Sequence, residues 1–147
     1  MDSMLIALSD SVSSKAVLDY VLSMAICPES VKVVLLHVFR KPSGGEELMG
    51  KKFMNRQPAR YMEVLEKARD RFLEKGMPME NITLKMVTEP YDTMADGIID
   101  QAKQIRPSLV VIGRKRMSKA EEFVLGDASI KLVRALDGMA VLVVKVL

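Results

Sequence analysis

The sequence predicts an α/β fold built on a single parallel sheet. Five short apolar runs recur along the chain, each of a length suited to a buried strand. Between them lie segments whose apolar residues return with the spacing of one helix face. Residues that favour turns and caps separate the two kinds of segment. Strands and helices in strict alternation pack as a parallel sheet with right-handed crossovers.

The first run, Met4 to Leu8, is continuously apolar, as a central strand covered on both faces would be. Ser9-Asp10-Ser11-Val12-Ser13-Ser14 follows, a cluster whose side chains cap helices and form turns. A helix is expected from about Ser13 to Ala25, with Val17, Val21, Met24 and Ala25 on one face and Pro28 past its end. Val31 to Phe39 is β-rich enough for a second strand. Arg40 to Gln57 has no periodicity and carries Pro42, Gly44, Gly45 and Gly50, so it reads as an unusually long connection, functional or mobile.

Helical spacing returns from Arg60 to Gly76, where Tyr61, Val64, Leu65, Ala68, Phe72 and Leu73 share a face. Ile82 to Thr88 alternates apolar and mixed residues, as expected of a strand at or near a sheet edge. Pro90 precedes a further helix, with Met94, Ala95, Ile98, Ile99, Ala102 and Ile105 as its buried stripe. A fourth strand starts at Leu109 and stops at Gly113, and a basic loop follows. Gly126 then stands just ahead of a helix from Ala128 to about Leu136, with Ser129, Leu132, Val133 and Leu136 expected on one face. Asp137-Gly138 ends it, and Met139 to Val144 forms the fifth strand.

Composition narrows the function classes. A chain of 147 residues with 49% apolar content suits one domain over residues 1–147 with a full core. The single cysteine, Cys27, cannot form an intrachain disulfide and favours a reducing, cytoplasmic setting; it is expected to be small buried packing near a helix end. No run approaches the ~20 apolar residues needed to span a bilayer. The net charge of +3 comes from 22 basic and 19 acidic residues that are interspersed, and there is no Trp, so no nucleic-acid partner is expected. Twelve methionines are read as core filling. No acid, base and nucleophile set is recognisable; His37, the lone histidine, reads as a satisfied core residue, and no catalysis is expected.

The segment Leu109 to Asp127 carries the chemistry. Strand, glycine loop and helix N-terminus place free backbone N–H groups and a positive dipole end where an anion would sit. Gly113 and Gly126, with Ser118-Lys119-Ala120-Glu121-Glu122-Phe123-Val124-Leu125 between them, resemble the nucleotide loop of the universal stress protein family, which runs Gly, two residues, Gly, nine residues, Gly, then Ser or Thr. Two positions depart from it: Arg116 stands at the middle glycine and Asp127 at the hydroxyl residue. The resemblance covers nearly the whole chain. It implies a sheet in the order 3-2-1-4-5 with helices on both faces, of the adenine nucleotide alpha hydrolase-like type, and a ligand crevice between strands 1 and 4.

The resemblance also implies ATP or AMP as ligand, with an acid after strand 1 and backbone at the end of strand 2 on the adenine and ribose side. The acid position falls on Ser9, with Asp10 one place later, and the strand 2 position falls on Val38, although a valine there is more often simply core. The degenerate candidate site is therefore Ser9, Asp10, Val38, Gly113, Arg116, Gly126, Asp127 and Ser129. Arg116 either distorts a loop that needs glycine or offers donors to phosphate. Asp127 reads as a self-cap: a carboxylate at a helix start accepts from the N–H groups that a phosphate would use, and it repels the incoming anion. Weak or absent ATP binding is the expectation, with a ligand-free dimeric interaction module as the function and a nucleotide sensor as the alternative. The resemblance implies a homodimer through the apolar strand Met139 to Val144.

Overall fold

In a computed structural model of the protein the first strand, β1 (Ser3–Ala7), lies at the centre of a five-stranded parallel sheet. The structure describes residues 1–9, 11–40, 48, 50–116, 118–120 and 127–146, the side chains of 11, 40, 51–55 and 90 excepted. After β1 come α1 (Ser11–Ser23), β2 (Lys32–Arg40), α2 (Lys51–Glu74) and β3 (Ile82–Tyr91). Then follow α3 (Met94–Ile105), β4 (Leu109–Arg114), α4 (Ala128–Ala135) and β5 (Ala140–Lys145). The strand order is β3-β2-β1-β4-β5, as the resemblance implied, and places β1 and β4 side by side where the chain direction of the crossovers reverses.

The sheet separates two apolar layers. On one face α1 and α2 cover Met4, Ile6, Val33, Leu35 and Val111, with Val17, Val21, Leu65, Ala68 and Phe72 facing them. On the other, α3 and α4 cover Leu5, Leu36, Val38, Val110 and Ile112 through Ala95, Ile98, Ala102, Leu132 and Leu136. Met4, Leu5 and Ile6 are all fully buried, which explains why β1 is apolar at every position.

Five sequence expectations are corrected. The helix α2 begins at Lys51, so the connection after β2 is shorter than Arg40 to Gln57; Pro58 lies inside the helix, where its ring removes one N–H donor without ending it. Residues 41–47 and 49 of that connection lie outside those described. β3 runs on through Glu89 and Pro90 to Tyr91, past a register shift between Val38 and Arg40 of β2; an edge strand tolerates a proline because one side of its ladder is unpaired. Val133 is 62% exposed and not on the inner face of α4, whose buried side is Leu132 and Leu136; Ala25 likewise is exposed, because α1 ends at Ser23. Cys27 is exposed in the turn after α1, where the Ser30 hydroxyl and the Glu29 backbone hold its thiol below the usual range.

Candidate functional site

The crevice begins with how β1 ends. Leu8 N–H donates to the Leu36 carbonyl at 2.8 Å, and the Leu8 carbonyl accepts from His37 Nδ1 at 2.7 Å. Both bonds tie the backbone just before Ser9 to β2, so the turn leaves the sheet in a set direction. Because a carbonyl can only accept, Nδ1 carries the proton and Nε2 is the unprotonated nitrogen of a neutral ring. Burial pushes the His37 pKa down, against the smaller opposing effect of the Leu8 carbonyl. The ring stacks on Tyr61 of α2 with centroids 3.7 Å apart and meets Phe39 edge-on at 4.8 Å. His37 is thus a structural bracket between β1, β2 and α2.

The opposite wall is β4, whose register pairs Met4 with Leu109 and Ile6 with Val111. Carried past its paired residues, this register sets Leu8 level with Gly113 and the Ser9 turn level with Arg114. A Cβ on Gly113 would stand 3.0 Å from Val17 Cγ2 and 3.6 Å from Ser13 Cβ. The glycine therefore lets α1 lie directly against the end of β4, a packing role that it fills with or without a ligand.

The helix N-terminus on this side is occupied by its own side chain. Asp127 is the N-cap of α4, and its Oδ1 accepts the Ser129 N–H at 3.0 Å and the Ser129 hydroxyl at 2.5 Å. Its Oδ2 meets the Arg114 guanidinium at 2.9 Å. The Asp127 side chain is only 10% exposed and that of Arg114 28%, so the pair is shielded from solvent more than a surface ion pair would be. The Ser129 hydroxyl, with the Ser129 and Ile130 N–H groups and Arg114 adding to it, holds the Asp127 carboxyl below the usual carboxylate range, against the opposing effect of burial. A carboxylate thus sits where N–H donors, a hydroxyl and a guanidinium converge.

The other candidates divide. Ser9 is half-buried at the turn, and Arg116 is exposed in the loop after β4. Val38 is buried in the second core layer, with its Cγ1 against Gly97 of α3, so its side chain is packing. Asp10 and Gly126 lie outside the described residues. The structure brings together Gly113, Arg114, Asp127 and Ser129. Arg114 is the participant that the sequence reading undervalued: it counted only as part of a basic loop, although its place one residue after the β4 glycine aims it along the strand toward the neighbouring helix start. Among the described residues no group of three or more His, Cys, Asp or Glu side chains is placed to hold a metal ion. No helix among them is long and apolar enough to cross a membrane.

Comparison with known proteins supports the fold. Among solved structures, a universal stress protein family protein from Arabidopsis thaliana with AMP bound shares 20% identity over 99% of this chain and 92% of its own, with a TM-score of 0.67. The universal stress protein from Archaeoglobus fulgidus in complex with dAMP shares 18% over 99% and 98%, with a TM-score of 0.64. A universal stress protein in complex with cAMP shares 18% over 99% and 98%, with a TM-score of 0.66. No curated protein sequence matches the chain. The profile of the universal stress protein family, however, matches residues 1–145, and the chain belongs to that family.

Proposed function

We propose that this protein is a universal stress protein in which Asp127 fills the phosphate seat, so that ATP binding is weak or lost and the domain acts as a dimeric interaction module in the cytoplasm. The observation that carries this reading is the double engagement of one carboxylate, Oδ1 on the Ser129 N–H and hydroxyl and Oδ2 on Arg114. A phosphate entering that seat has to displace the carboxylate from its donors and then tolerate its charge nearby. No residue is assigned a catalytic role.

The dimer reading rests on β5. It is the last strand of the sheet, so one side of its backbone ladder is unpaired. Exposed apolar side chains flank it: Ile130 and Val133 on α4, and Val12 and Tyr20 on α1. A groove of about 590 Å³ runs between α1 and the strand, its apolar lining of Val12, Ala16, Tyr20, Val144 and Val146 interrupted by Lys15, Asp19, Ser23 and Lys145. An apolar, hydrogen-bond-hungry edge of this kind suits a second copy of the chain related by a twofold axis.

A second reading, an ATP or AMP sensor, is favoured by two observations. Structures of the same fold hold AMP, dAMP and cAMP, and Arg114 is a guanidinium able to turn from a carboxylate to a phosphate. Calorimetric titration with Mg-ATP and with AMP separates the readings. The first expects no heat of binding at micromolar protein; a dissociation constant in the low micromolar range overturns it. Asp127→Ser combined with Arg116→Gly restores the family pattern and is expected to create or strengthen binding.

A further inference from the structure

A second cavity lies away from the crevice, between α1 and α2. It encloses about 300 Å³, at the lower end of the size range of small-molecule sites. Its floor is apolar, made of Leu18, Val64 and Ala68, with one polar group among them: Ser14, 4% exposed, whose hydroxyl has no hydrogen-bond partner among the described residues. Its rim carries four cations, Lys15, Arg60, Lys67 and Arg71, and one carboxylate, Glu63. Two of these cations are already engaged, Lys67 with Glu63 at 2.9 Å and Arg71 with Asp19 at 2.6 Å. Lys15 and Arg60 are exposed and have no carboxylate partner among the described residues.

A buried hydroxyl without a partner costs free energy unless something completes it, and over the same opening stand two cations with no carboxylate partner among the described residues, Arg60 resting 5.9 Å from the Tyr61 ring centre. We propose that this groove binds a small amphipathic organic anion, a medium-chain or aryl carboxylate, with its apolar part on Leu18, Val64 and Ala68 and its carboxylate held by Lys15 and Arg60 and accepting from the Ser14 hydroxyl. A bare inorganic anion does not fit, because it would have to shed water over an apolar floor offering a single hydroxyl. A neutral amphiphile would leave the two rim charges unanswered. The proposal stands whether or not the crevice beside Asp127 takes a nucleotide, since α1 separates the two.

The test is an amide NMR titration of the intact protein with decanoate, with inorganic phosphate and decanol in parallel. Saturable shifts of Ser14, Lys15, Leu18, Val64 and Ala68 are expected with decanoate, and none with phosphate. Lys15→Glu with Arg60→Glu, both at exposed positions, is expected to weaken decanoate about tenfold while leaving the rest of the spectrum in place. The milder pair Lys15→Gln with Arg60→Gln should fall between. Decanol binding as tightly as decanoate, phosphate competing equally, shifts confined to β5 or the β1/β4 crevice, or unchanged affinity in the Glu pair would each overturn the proposal.

Discussion

Replacing Asp127 by Ala and by Ser separates the two jobs that the carboxylate performs. Alanine removes both. Loss of an N-cap side chain costs about 1 kcal/mol, and loss of a partly shielded ion pair costs about 0.5–1 kcal/mol more, the lower range applying because Arg114 stays partly hydrated when its partner leaves. Together they come to about 2 kcal/mol, which for a domain of this size lowers Tm by about 4–8 °C. Serine keeps a capping oxygen and loses only the ion pair, so its Tm should fall by about 1–4 °C. Differential scanning calorimetry at neutral pH on both variants reads the difference. The serine variant should also bind Mg-ATP at least about tenfold more tightly than the parent, a gain of 1.4 kcal/mol per factor of ten. Equal melting temperatures for the two variants would refute the cap, and a stable serine variant with no gain in nucleotide affinity would refute the seat. The pH dependence has a fixed sign: the Asp127 pKa is depressed on folding, so its contribution is full above about 3.8 and is lost as the pH falls through the folded value below that.

Three further outcomes are expected. His37 is the only histidine and is buried neutral, with its folded pKa below the ordinary 6.5; stability is full above that value and falls as the pH drops below it, by up to about 1.4 kcal/mol per pH unit, and His37→Phe should flatten the slope between pH 5 and about 6.5 in urea titrations. Gly97→Ala would place a methyl 2.2 Å from Val38 Cγ1 and 2.9 Å from Tyr91 Cδ2, so α3 must lift from β2 and β3; a loss of about 1–3 kcal/mol in the urea midpoint is expected, and a neutral result would mean the close approach is not real. Val133→Glu puts a charge on the exposed apolar side of α4 beside β5, and sedimentation equilibrium should show the dimer weakened at least about tenfold with the monomer still folded.

Much of this was legible in the residues, and the reasons are physical. β1, β4 and the stripes of α2 and α3 could be read because burial on both sides of a strand or along one helix face leaves a periodic trace. Strand order left no such trace and came through likeness to a family. The start of α2 left no trace because the residues before Arg60 show no apolar periodicity, although the helix already runs from Lys51 and carries Pro58 inside its 24 residues. Val133 was misplaced because Leu132 and Leu136 alone satisfy the inner face of a short helix at the sheet edge, leaving the third apolar residue facing outward. At the site, capping by Asp127 follows from local chemistry, but its pairing with Arg114 is a contact between elements 13 residues apart and depends on where β4 and α4 meet.

That pairing bears on how a ligand seat is lost. A helix N-terminus at the end of an inner strand concentrates donors that need a negative partner, and removing the ligand leaves them unpaired. A residue without a side-chain acceptor at position 127 would leave the Ser129 N–H uncapped and would take the carboxylate away from Arg114. A carboxylate answers both at once, at 3.0 Å and 2.9 Å, and so stabilises the fold without a ligand through donors of the kind that would suit a phosphate. On this reading stability and nucleotide affinity oppose each other at one side chain. A variant that regains the ligand must lose melting temperature in its absence and recover it when nucleotide is added, which links the two measurements through mass action.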